Sequence, residues 1–207
     1  YEKVLSAIET ILPASSDGAA HLESNETFAT YFANAKTSVE TLFCLAHTAT
    51  ETKGQASIGS MYYKAGIGWG EVYASTPLLD LYERYPSDVR YTGHILPQLL
   101  NEEQWQVVFP ISNGDDTSGR INKIFTATQE GEAFTFTEND NTYTVTKVQE
   151  GEYSKWVTTY DGVQRDVRVT KRMISRNNYP QYFVTKFSNQ DNDPMLSSPV
   201  FIRWAEV

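Results

Sequence analysis

From Phe134 to Thr146 the side chains alternate with a period of two, and no other stretch constrains the fold as tightly. Phe134 and Phe136 alternate with Thr135 and Thr137; Tyr143 and Val145 alternate with Thr142, Thr144 and Thr146. Such a pattern puts the large apolar groups on one face of a strand pair and the threonines on the other. The residues between the two runs, Glu138-Asn139-Asp140-Asn141, read as a hairpin loop. A second hairpin is expected across Asp161-Gly162, joining a strand over 156–160 to one over 163–169. The run 182–187 reads as a last short strand.

The remainder carries helical signals or none. Val4, Leu5, Ile8, Ile11 and Leu12 recur at helical spacing with Tyr1, and no capping residue precedes them. Ser24 can cap a second helix with Glu26 in its first turn and Phe28, Tyr31 and Phe32 on one face. A short strand is expected over 40–46. Residues 53–70 are rich in Gly, Ser and Tyr without period and read as a loop. Ser75-Thr76-Pro77 starts a helix running to Tyr85, and a loop with a helical turn is expected over 101–106, carrying Trp105. The chain ends on Ser198, an N-cap, and Pro199, an N1 proline, followed by two helical turns through Val207. Beginning and ending inside helices, the sequence reads as an excised fragment. Helices followed by hairpins and another helix, without βαβ alternation, imply an α+β organisation.

Net charge is −9, which disfavours nucleic acid or an anionic membrane surface as partner. Cys44 is the single cysteine and sits in the apolar run Leu42-Phe43-Cys44-Leu45, where it reads as a small buried hydrophobe. The apolar runs are well short of the roughly 20 residues that span a bilayer. His21, His47 and His94 are scattered without metal-ligand spacing. Asn189 to Asp193 offers oxygen ligands but lacks the glycine and the distal glutamate of a calcium loop, so a solvated turn is expected, and Asp115-Asp116 is read in the same way. Ser118 lacks the flanking glycines of a nucleophile elbow. Asp80 and Glu83 share one helix face rather than flanking a cleft, and Asp88 with Arg90 reads as a local pair or cap. No catalytic residue, metal ligand or cofactor is therefore assigned.

The aromatics are the candidate ligand-binding groups, among 13 Tyr and four Trp in 207 residues. Tyr62 and Tyr63 lie in the Gly/Ser-rich stretch, where large rings have little core to enter and sugar rings can stack on them. Trp69, between Gly68 and Gly70, either packs against a positive-φ turn or faces a ligand. Tyr91, Trp105, Trp156 and Tyr160 are further candidates that also suit sheet or core packing.

Several motifs come in a particular order: Gly66-Ile67-Gly68-Trp69-Gly70, then Ser75-Thr76-Pro77-Leu78-Leu79-Asp80-Leu81-Tyr82, then Asp88-Val89-Arg90. Tyr182 to Phe187 follows, and after it Ser198-Pro199-Val200-Phe201-Ile202-Arg203-Trp204-Ala205-Glu206-Val207. In this order they resemble the SusD/RagB family of outer-membrane nutrient-binding lipoproteins, with a departure at Ser75-Thr76-Pro77 and only weak likeness over 123–169. The resemblance implies one SusD-like fragment over 1–207, with scaffold helices at 1–12 and 198–207, a loop-rich helical part at 13–119 and a β-hairpin part at 120–187. It also implies a lipid-anchored cell-surface protein that binds oligosaccharides, or in some lineages peptides, without altering them. The implied partner is a SusC-like TonB-dependent transporter. Within that frame the helices at 1–12 and 198–207 are expected to be neighbours, with Trp204 buried.

Overall fold

The computed structural model describes residues 21–51, 54–63, 67–111, 122–176, 178–186 and 190–206, with Glu2, Lys3, Ser6 and Thr10 in helical conformation. In chain order its elements begin with α1 (Asn25–Phe28), β1 (Thr41–Cys44), α2 (Ile58–Tyr62), α3 (Thr76–Glu83) and α4 (Val89–His94). Strands follow: β2 (Ile95–Pro97), β3 (Leu99–Pro110), β4 (Asn122–Glu130), β5 (Ala133–Glu138), β6 (Asn141–Glu150), β7 (Tyr153–Tyr160) and β8 (Val163–Met173). The short strands β9 (Ser175–Arg176), β10 (Tyr179–Pro180), β11 (Tyr182–Val184) and β12 (Val200–Arg203) complete the series. The chain divides into two compact units, one formed by 74–86 with 97–182 and the other by 1–73, 87–96 and 183–207.

The first unit is built on a closed antiparallel barrel, β3 to β8. Each strand pairs with its chain neighbour, and β3 also pairs with β8 through Val107↔Val169 and Val108↔Arg168. Two-residue turns connect β4 through β8. Asn139 and Asp140 have φ of 48° and 63°, and Asp161 and Gly162 have 50° and 75°. Positive φ at both turn residues gives the backbone twist that matches paired strands, and Asn, Asp and Gly adopt it most readily. At Gly131-Glu132 and Gly151-Glu152 only the glycine is positive, at 62° and 61°.

Inward-facing side chains fill the barrel. Val107, Phe109, Ala127, Phe134, Phe136, Val145, Tyr160 and Val167 form one buried cluster. Phe136 stacks on Phe125 at 4.5 Å and on Tyr143 at 5.1 Å. The alternation read at 134–146 is thus present as Phe134↔Val145 and Phe136↔Tyr143 pairs. A six-stranded barrel has room for side chains but not for a channel. Outside it, on the same unit, the Arg168 side chain is 9% exposed and binds Asp80 at 2.6 Å and also Glu83, two residues on one face of α3. Burial pushes the Glu83 carboxyl up, against the pull of the Arg168 charge.

This architecture corrects the expected α+β fragment of helices flanking loops and hairpins: the described residues form a closed six-stranded barrel with four short helices. The helical turn expected over 101–106 is strand. Its polar, helix-favouring residues are overridden by pairing on both edges of β3, and the local irregularity survives as a bulge. Asn101 pairs with Arg172 and Trp105 with the adjacent Lys171, while Asn101 Oδ1 accepts from the Glu103 and Gln104 amides at 2.8 and 3.2 Å.

In the second unit, the Ser24 side chain accepts from the Thr27 amide and caps α1, as read. Phe28, Phe32 and His94 meet edge-on at 5.1 to 6.2 Å around the fully buried Tyr31. The loop expected over 53–70 contains α2, started by the Ser57 cap. The helix expected at 198–207 is instead β12 followed by a 3-10 turn at Trp204–Glu206. Val200, Phe201 and Ile202 favour extended backbone, and a partner strand is at hand: β12 pairs antiparallel with β1 through Phe43↔Ile202 and Cys44↔Val200. Glu40 and Arg203 close the ladder at 3.4 Å, with Glu40 buried and its other oxygen taking the Glu23 amide at 2.9 Å. Trp204 is half-buried rather than buried, with His21 4.8 Å from its ring. Most of 1–12 lies outside the described residues, as do Asp115, Asp116 and Ser118.

Two outcomes follow. Phe136→Ala, which empties a site only 2% exposed, is expected to cost about 3–5 kcal/mol in denaturant unfolding, whereas Thr137→Ala on the exposed face costs less than about 1 kcal/mol. His94 concerns pH. Burial, and secondarily the Lys186 charge, holds its imidazole below the ordinary 6.5, and its buried Nε2 has no hydrogen-bond partner among the described residues. Below pH 6.5 the unfolded chain therefore takes a proton that the folded chain resists. Stability is full above that value and falls as the pH drops from it to the folded value, and His94→Gln flattens that slope in unfolding measured from pH 7.5 to 5.

Candidate functional site

A rigid clamp in the second unit holds the most exposed of the candidate aromatics. Helix α2 ends at Tyr62, and the chain returns over it at Gly68-Trp69-Gly70. The Trp69 amide donates to the Ser60 carbonyl at 2.7 Å, and the Glu71 and Val72 amides both donate to Met61 at 3.2 and 3.0 Å. Ser60 is itself fully buried. Gly68 makes this approach possible: a Cβ there would lie 2.4 Å from the Ser60 carbonyl oxygen, far inside contact distance. Gly70, at φ 62°, turns the chain away on the other side.

The clamp fixes the backbone while the indole stays in solvent: Trp69 is 55% exposed. Ile58 and Met61 of α2, at 47% and 44%, add apolar surface on the same short segment, and Tyr62 and Tyr63 are half-buried at its end. An indole with a restrained backbone can take the apolar face of a flat ligand with little ordering entropy.

The remaining sequence candidates fall elsewhere. Tyr91 is half-buried in α4. Trp105 and Trp156 belong to the barrel, where both lean edge-on against Phe134 at 5.1 and 5.2 Å. Lys171 sits 3.8 Å above the Trp105 ring and Lys147 5.7 Å above that of Trp156. Tyr160 is core, its hydroxyl bonded to Lys123 and Glu138. The structure thus groups Tyr62, Tyr63 and Trp69 by chain position and joins Trp105 and Trp156 through Phe134. The two lysines escaped the sequence reading although alternation reveals them: each lies two residues beyond an inward valine, Val145 or Val169.

The charged residues weighed for catalysis make ion pairs and a helix cap. Asp88 caps α4 by accepting the Arg90 amide at 2.8 Å and binds the Arg90 guanidinium, while Asp80 and Glu83 hold Arg168. Asp191 pairs with Lys36 at 2.6 Å in a turn closed by the Gln190↔Asp193 bridge, so that segment is a salt-bridged turn. A cavity of about 220 Å³ lies between Phe32, Lys186, Ser198, Pro199 and Arg203. There the Arg203 guanidinium is committed to Glu40 and the Lys186 ammonium covers the Phe32 ring at 4.8 Å.

Comparison of the chain with protein-family models, with curated proteins and with solved structures found no match.

The clamp is testable by itself. Gly68→Ala forces the Ser60 carbonyl away and is expected to cost about 1–3 kcal/mol, as overpacking does, with faster amide exchange at Trp69 and Val72. Trp69→Ala, on the exposed side, changes stability by less than about 0.5 kcal/mol. Denaturant melts with hydrogen exchange check both.

Proposed function

We propose that this chain is a non-catalytic capture module that binds oligosaccharides at the Trp69 platform. The observation carrying this reading is the combination of a 55% exposed indole with a backbone pinned by the Gly68 close approach and the Ser60 hydrogen bond. Ordinary surface indoles pack down to hide apolar area, since burying such a ring contributes about 1.5–3 kcal/mol. Here the indole is more than half exposed on a backbone restrained by hydrogen bonding. Sugar recognition uses such a group: the ring takes the apolar face of a pyranose, and neighbouring polar atoms take its hydroxyls. Binding of this kind needs no shifted pKa and no nucleophile.

The ordered motifs that resemble the SusD/RagB family support placing this capture at the outer surface of an outer membrane, delivering ligand to a TonB-dependent transporter. The barrel is the feature for which that resemblance offers no counterpart. Open aromatic sites bind weakly, with Kd on the order of micromolar to millimolar.

Calorimetry of the chain against a panel of neutral oligosaccharides tests the reading. Trp69→Ala is expected to weaken binding about tenfold or more, equivalent to about 1.4 kcal/mol, while the melting temperature stays within a degree or two. A variant that binds as tightly as the parent removes Trp69 from the site, and a parent that binds no member of the panel defeats the proposal.

A further inference from the structure

The β1–β12 ribbon of the second unit breaks the alternation of an ordinary strand pair. Its partners run Thr41↔Arg203, Phe43↔Ile202 and Cys44↔Val200, so β1 carries an extra residue at Leu42 and β12 one at Phe201. Such a bulge sets two residues of one strand against one of the other and re-aims their side chains. Phe201 therefore joins Ile202 on the side of Phe43, and the two phenyl rings lie 5.6 Å apart. Both strands show the result. Their end residues Thr41, Cys44, Val200 and Arg203 are half-buried, and their middle residues are exposed. Inward, Thr41 Oγ1 meets the Tyr31 hydroxyl at 2.7 Å, and Arg203 pairs with the buried Glu40. Outward, Phe43, Phe201 and Ile202 are 57%, 62% and 44% exposed, and Leu45, two residues beyond Phe43, is 53% exposed.

This outer face is neutral as well as apolar. In a chain with 21% charged residues, the stretches 41–50 and 194–202 contain no Lys, Arg, Asp or Glu. A two-stranded ribbon is marginal in water unless a further layer covers its apolar side. Four side chains of roughly 150–200 Å² each, about half exposed, present roughly 400 Å² of apolar surface. Two such faces stacked about a two-fold axis remove about 800 Å² of side chain from water. The backbone and rim beside them bring the total to the ~1,000–1,200 Å² at which specific interfaces begin. A charged partner finds no opposite charge in either stretch. A lipid surface finds no cation there to meet its headgroups, and the net charge of −9 opposes an anionic one. An identical neutral face is the better complement.

We propose that the outer face of the β1–β12 ribbon is a self-association surface, on which Phe43, Leu45, Phe201 and Ile202 stack against the same face of a second copy of this chain. The dimer is weak, with Kd on the order of tens of micromolar, because the area is small and two acidic chains repel. It depends neither on sugar binding at Trp69 nor on the barrel.

Sedimentation equilibrium of the whole chain from about 1 to about 500 µM is the test. The parent passes from monomer to dimer across this range, and raising salt from about 0.05 to 0.5 M strengthens association by screening the repulsion between two chains of net charge −9. Phe43→Thr and Phe201→Thr, which keep the preference for extended backbone, each weaken the dimer about tenfold or more, with the melting temperature within a degree or two of the parent. Val163→Thr, at a comparably exposed apolar site on β8, leaves Kd within about twofold, and so does Trp69→Ala. Amide exchange of the parent over 41–45 and 200–203, slower at the high concentration than at the low one, reports the same contact without any substitution and keeps the test valid if a variant fails to fold. A parent that stays monomeric throughout overturns the proposal, as does a dimer that both threonine variants retain at parent strength, or exchange that does not change with concentration. A monomeric chain that instead floats with phosphatidylcholine vesicles, and no longer does so in the threonine variants, assigns the face to lipid and overturns self-association.

Discussion

The pairing of β3 with β8 is the constraint on which the barrel unit depends. Without it the six strands are an open meander with two exposed edges; with it every strand has two neighbours and the inward faces become an interior. Closure then decides which residues meet. Phe109, Phe125, Phe136, Tyr143 and Tyr160 come from five strands spread over more than fifty residues, yet they form one mutually contacting set of rings. The same closure brings Lys171 of the last strand over Trp105 of the first. The outer face is tied down by a different means, with the two acids of α3 clasping Arg168 where burial has stripped it of water.

Among the described residues of the second unit, order comes from short ladders and buried polar ties. Gln190 is fully buried; its amide donates to the His47 carbonyl at 2.7 Å, and its oxygen takes the Ser198 hydroxyl. His47 returns the tie through its own amide to Ser198 Oγ at 3.0 Å. Buried polar atoms of this kind must be satisfied, so they fix chain paths that apolar packing alone leaves loose. The Trp69 clamp belongs to this style of construction: backbone hydrogen bonds and one closely approaching glycine fix the chain path beneath a half-exposed ring.

The two groupings of aromatic residues differ in origin. The Trp69 platform is local, made by a helix end and a return of about ten residues. The Lys171–Trp105 contact exists only because β3 and β8, distant in the chain, share a register, whereas Lys147 and Trp156 face each other within the β6–β7 hairpin.

Some of this was legible in the sequence for clear physical reasons. Alternation at 134–146 and the turn-forming Asp161-Gly162 specify hairpins through local sterics alone, and the Ser24 and Asp88 caps follow from the unsatisfied amides of a helix start. The Gly68-Trp69-Gly70 motif marked a backbone needing room, though not that the indole would remain exposed. The rest was decided by tertiary structure. Residues 101–106 carry local preferences that fit a helix, yet Trp105 finds partners on both β4 and β8, and the hydrogen bonds gained along the ladder outweigh the few tenths of a kcal/mol per residue of helix propensity; at 198–207 the helix-start signals of Ser198 and Pro199 give way to Val200 to Arg203, which favour extended backbone and find β1. Closure into a barrel is equally invisible in sequence, because the β3–β8 pairing joins segments some sixty residues apart and no local pattern encodes which distant edge a strand will meet.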